Sequence, residues 1–194
     1  MNEPTVAAQS AETRRRSAFD ALGWAGPLVA LAVLVVFLSN TQWYFVFKVI
    51  HVLAAIVWLG GGAMITVLAL RAKRAKDNME LLRIGQQAEW LSMRVFVPAA
   101  LVVLAFGFVL VHKGDWGYGH FWVIFGLVAW FASFVVGAAF LGPETGRLAK
   151  LIEAKGPEDP EVLARLDRIL AVARTDVALI FLIAADMVAK PFLS

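Results

Sequence analysis

The chain has 194 residues, of which 60% are hydrophobic and 17% charged, and its mean hydropathy is +0.73. That balance excludes an ordinary soluble domain. The lack of cysteine excludes disulfides, thiolate metal sites, covalently attached c-type haem and cysteine nucleophiles.

Residues 1–17 are polar and aperiodic, which predicts a disordered cytoplasmic tail ahead of one transmembrane helical domain, residues 18–194. The first apolar run, residues 21–38, follows Arg14-Arg15-Arg16. It is longer than the core of a cleaved signal peptide, and Ser39-Asn40-Thr41-Gln42 is a poor cleavage site, so the run reads as a retained anchor. At 1.5 Å per residue it reaches about 27 Å, and flanking residues or local thinning must complete the crossing.

The second run, residues 43–70, carries Lys48 and His51 inside otherwise apolar sequence. A bilayer core needs about 20 apolar residues in a helix, and ionisable side chains at that depth are costly and mark functional sites. Lys48 and His51 share a helix face that Ala55, Trp58 and Gly62 extend. Neutral imidazole is the commonest protein metal ligand and the usual axial ligand of haem iron. The competing reading of His51 is a hydrogen bond to a neighbouring helix. Trp58 reads as a packing residue below His51 that fills space and excludes water. Gly60-Gly61-Gly62 sits mid-membrane and reads as a place of close helix approach. Walker, HExxH and dinucleotide-binding patterns are all absent from the sequence.

A basic loop follows, in which Asp77-Asn78-Met79-Glu80 offers a helix cap. No proline intervenes until Pro98, so a helix is expected to enter the membrane directly from this loop into the third run, residues 95–111. His112 and His120 bracket a short loop with Lys113, Asp115, Trp116 and Tyr118. They read either as an ordinary wet interface or, with His51, as metal ligands. The fourth run, residues 121–141, contains the small-residue line Ala129, Ser133 and Gly137, read as helix contact. In the second basic loop Asp159-Pro160-Glu161 starts a helix in the favoured cap-then-proline order. Leu163, Leu166, Ile169 or Leu170, and Ala173 then form an apolar stripe. The fifth run, residues 176–189, is about 21 Å long. Asp186 within it is expected to pair either with Lys48 at similar depth or with Lys190 on its own helix.

Fifteen of the 18 Lys and Arg lie before the first run or in the two basic loops. The positive-inside rule then makes those segments cytoplasmic, with the amino terminus inside and the carboxyl terminus outside. The fold expected is an all-α, polytopic bundle of five transmembrane helices in the inner (plasma) membrane. The net charge of +3 is a topology signal and calls for no nucleic-acid partner.

The run from Lys48 through His51 and Trp58 to Gly62 resembles the opening signature of a family of predicted bacterial integral membrane proteins, domain of unknown function 2269. The ending Asp186-Met187-Val188-Ala189-Lys190-Pro191 is similar too, and the likeness covers residues 44–191. More distantly, Lys48-x-x-His51 with Trp58 seven residues on resembles the copper-resistance protein D and HemJ-type families, as do Arg94 and Pro98 opening a span that contains Gly107. The HemJ-type resemblance implies a small helical bundle with histidine ligating haem b. The fourth run departs from that pattern, with no basic residue after His120 and no histidine at its inner end. The likeness therefore implies haem binding rather than porphyrin oxidation.

Three functions remain open on the sequence. One is a protein that binds haem b, or else copper, at His51 with Lys48 and Trp58 beside it, for electron transfer. Another is a non-catalytic accessory or structural subunit of a membrane complex, held by a protein partner or by its own copies. The third is a transporter with Lys48 and Asp186 on a polar path, which the absence of an internal repeat disfavours.

Overall fold

The computed structural model describes residues 27–39 and 41–192. The tail expected at residues 1–17 and the first residues of the first apolar run lie outside them. Five helices make up the described chain: α1 (Pro27–Ser39), α2 (Trp43–Arg74), α3 (Asn78–Lys113), α4 (Phe121–Lys155) and α5 (Pro160–Ala189). Strands are absent among the described residues. The chain divides at residues 46 and 47 into two units. The described part of the first is α1 and the first turn of α2. Ser39 and Thr41 hydroxyls there donate to the Val36 and Phe37 carbonyls and close the end of α1.

The second unit is a bundle of α2, α3, α4 and α5. Three helices are long and apolar enough to cross a membrane: α2, α3 and α4. α1 has 13 described residues, and α5 carries Arg174, Asp176 and Asp186 across its apolar half. The surface is apolar where lipid would meet it, with Ile56, Val67, Val128, Phe131, Phe181 and Leu182 all more than half exposed. Such a belt suits a hydrocarbon solvent and would be a liability in water.

The basic loops are largely helical, as expected. Asp77 caps α3 by accepting the Glu80 amide at 3.0 Å, and α3 runs on from Asn78 to Lys113 without a break. Asp159 caps α5 through the Glu161 amide at 2.8 Å, with Pro160 in the first turn. α5 is one continuous rod, so its polar half and the fifth apolar run are a single element. Its buried stripe begins at Val162, 2% exposed, and continues through Leu166, Ile169 and Leu170; Leu163, expected in the stripe, is 42% exposed. The stripe packs against Ala69, Ala72, Leu81, Ile84 and Leu148 from the other three helices.

Two of the long helices, α3 and α4, pass through a proline. A helical proline lacks an amide hydrogen, and its ring collides with the carbonyl four residues back. For Pro98 and Pro143 those carbonyls belong to Arg94 and Ala139, and each lies in a π-helical segment, Ser92–Phe96 and Val136–Leu141. The wider turn takes up the clash: the Val97 amide donates to Ser92 and the Gly142 amide to Gly137, each five residues back. The two π segments touch each other across the bundle.

Candidate functional site

The first chemical feature is an anchored imidazole. His51 Nδ1 lies 2.8 Å from the Val103 carbonyl oxygen of α3. A helical carbonyl is screened by the side chain four residues on, and that residue is Gly107. A Cβ there would stand 3.3 Å from His51 Cε1 and 3.7 Å from Nδ1, so glycine opens the carbonyl to the ring. A carbonyl only accepts, hence Nδ1 carries the hydrogen and Nε2 presents a lone pair. The ring is half-buried. The bond to a neighbouring helix that competed with ligation is therefore present, and it occupies one of two ring nitrogens.

The other residues singled out from sequence stand apart from this ring. Lys48 is exposed. Trp58, two turns along α2, is buried among Ala100, Val103, Trp130 and Ile180, in the packing role expected of it. His112 is exposed, and His120 Nδ1 donates to the Gly117 carbonyl of its own loop at 2.8 Å. Among the described residues no group of three His, Cys, Asp or Glu is placed to hold a metal ion.

Neither pairing expected of Asp186 is formed. Its carboxylate is buried against Gly126, and Oδ2 has no hydrogen-bond partner. Lys190 takes the left-handed conformation that ends α5, φ 45°, and its ammonium turns onto the Trp116 ring at 3.8 Å, with Trp122 at 5.2 Å. The cation–π contact replaces the ion pair within the helix. Lys48 lies on an exposed face of α2, and no ion pair joins it to Asp186.

The second feature is a half-enclosed cavity of about 150 Å³ between α2, α3, α4 and α5. Both π segments line it, through Ser92 and Phe96 and through Gly137, Ala138 and Leu141. Gly62, Gly85 and Gly137 face it from three helices, and a Cβ added to any of them would meet nothing within 4 Å. The small residues read as helix contacts are thus of two kinds. Gly61 abuts the Phe96 ring, while Gly62 and Gly137 border open space.

Asp176 is the one charged residue in the cavity wall, and Ser133 lies beside it. Ser133 is 1% exposed and its hydroxyl sits against the Asp176 carboxyl, and neither Ser133 Oγ nor Asp176 Oδ1 has a hydrogen-bond partner from any other residue. Sequence reasoning placed Ser133 in a packing line and Asp176 at the edge of a span. The available signal was an acidic residue opening an apolar run, which marks function by its cost. At the basic end of the cavity Glu144 accepts from Arg147 at 2.7 Å and from Arg165 at 2.8 Å, tying α4 to α5. Those two guanidinium bonds hold the Glu144 carboxyl below its ordinary pKa. Lys73 pairs with Asp167 and ties α2 to α5.

An all-helical bundle with lipid-fit surfaces, an anchored histidine and a polar-tipped internal cavity defines a polytopic integral membrane protein. The chain belongs to the family DUF2269, described as predicted integral membrane protein, which it matches over residues 45–191. No curated protein and no solved structure matches it.

Proposed function

We propose that this protein binds haem b through His51, near the outer face of the inner membrane, for electron transfer. The observation that supports the reading is the fixed tautomer of His51. An iron-ligating imidazole needs a free lone pair on one nitrogen and gains orientation and basicity when the other donates to a carbonyl. His51 meets both conditions through Val103 and Gly107. A bound haem would supply one-electron transfer, and this chain's part is to fix the ring and hold its proton at Nδ1 through Val103. Copper is less well served, because imidazole sites for it use several donors together, and such a group is missing among the described residues.

The same proposal includes five spans, with α1 and α5 joining the three long apolar helices. The exposure of Phe181, Leu182 and Val188 on α5 supports this, and the placement of basic residues supports an inside amino terminus. The visible spectrum of protein purified after haem-supplemented expression tests the cofactor. A Soret band with reducible α and β bands is expected. Its absence favours the accessory-subunit reading, in which a membrane partner or a second copy carries the chemistry.

A further inference from the structure

The cavity at Asp176 is distinct from the His51 site: His51 is absent from its wall, and its one charged residue, Asp176, comes from α5 with Ser133 of α4 beside it. Three observations say that this space is built to receive something. The first is the three glycines from separate helices whose missing side chains create it. A Cβ at any of them would find room, so close helix packing does not explain their lack of side chains. The second is the pair of π segments that border it. π-bulges widen a helix locally and recur at functional sites, and here two of them face one opening. The third is the polar end. Ser133 and Asp176 face only each other, so Asp176 Oδ1 finds no donor elsewhere in the protein, whereas buried polar groups are nearly always fully satisfied. By contrast, the two threonine hydroxyls in the wall donate to their own helices: Thr66 to Gly62, and Thr145 to Leu141 and Gly142.

We propose that this cavity binds a small organic ammonium ion, with its apolar body against the small and aromatic wall residues and its ammonium against Asp176 and Ser133. The charge follows from the wall. It holds one carboxylate and no Lys, Arg or His, so an anion would meet repulsion and a neutral molecule would leave the carboxylate uncompensated in a poor solvent for charge. An ammonium supplies both the opposite charge and further donors to the Asp176 carboxylate and to the Ser133 oxygen lone pairs, beyond the one proton the Ser133 hydroxyl can give. The body follows from size, since apolar cavities near 150 Å³ hold a benzene ring, and the remaining wall is Trp58, Phe96, Phe134 and aliphatic side chains.

The absence of native cysteine gives a direct test. Gly137→Cys places one thiol in the wall without touching Ser133 or Asp176, and Gly62→Cys serves if the first variant does not fold. The thiol is labelled in detergent with neutral methyl methanethiosulfonate, with benzylamine, protonated at pH 7, as competitor and benzyl alcohol as its uncharged counterpart. Benzylammonium is expected to slow labelling saturably by at least tenfold, and benzyl alcohol by much less. Adding Asp176→Asn is expected to remove the difference between the two competitors. A thiol that does not label in either folded variant would overturn the cavity as a reachable site. Equal protection by the two competitors, no protection by benzylammonium, or protection that survives Asp176→Asn would each overturn ammonium recognition.

Discussion

Replacing Gly107 perturbs the His51 anchor without touching the histidine. In Gly107→Ala the new Cβ stands 3.3 Å from His51 Cε1, inside the roughly 3.5–4.0 Å optimum for carbon atoms. The ring must retreat by a few tenths of an ångström, which lengthens the 2.8 Å bond to Val103 without breaking it. Two energies oppose each other. Alanine in place of glycine favours the helix by about 0.5–1 kcal/mol, and an interhelical hydrogen bond in a membrane protein contributes about 0.6 kcal/mol on average. Part of that bond is lost, so the net change in stability lies between about zero and 1 kcal/mol in favour of the variant. Gly107→Val adds branches toward the ring, and the bond is then lost outright. The assay is nitrogen NMR of labelled imidazole in a background with His112 and His120 replaced, alongside thermal melting in detergent. Wild type should show one tautomer with Nδ1 protonated, Gly107→Ala the same tautomer with a weakened bond, and Gly107→Val a mixture. A single unshifted tautomer in Gly107→Val would refute the claim that glycine opens the carbonyl.

Asp77→Ala removes the carboxylate that accepts the Glu80 amide and should cost about 1 kcal/mol, read as a lower melting temperature with unchanged helix content at 20 °C. Glu144 has a folded pKa below its unfolded value of 4.5. Its contribution is therefore present above that pH and is lost as pH falls through the folded value. The gap in melting temperature between wild type and Glu144→Gln should be constant at neutral pH and close as the pH drops below 4.5; a gap that widens on acidification contradicts the sign. In intact cells, Asp115→Cys should react with an impermeant thiol reagent and Lys76→Cys should not, and the reverse pattern inverts the proposed topology.

The helices were legible because their causes are local. Apolar run length, the Asp77 and Asp159 caps, and the freedom from proline before Pro98 are all written in neighbouring residues. The site was less so. His51 declared itself by being ionisable in an apolar run, but the Val103 carbonyl and the Gly107 gap lie more than 50 residues away, and only packing joins them. Ser133 and Gly137 share a small-residue pattern that means contact in one setting and space in another, and the neighbouring helix decides which. Pro143 marks a helix end by ordinary rules, yet the π turn before it lets α4 run on to Lys155. The Lys190 contact depends on a left-handed residue after the last turn of α5 and on two tryptophans from elsewhere in the chain, so charge spacing pointed to the wrong partner.

The ligand role of His51 is tested most directly by removing its ring and returning it from solution. His51→Gly protein, expressed with supplementary haem, should lose the Soret band of wild type and regain it when millimolar imidazole is added during purification. His112→Ala and His120→Ala are controls that report any second ligand. A full Soret band in His51→Gly without imidazole would contradict the assignment.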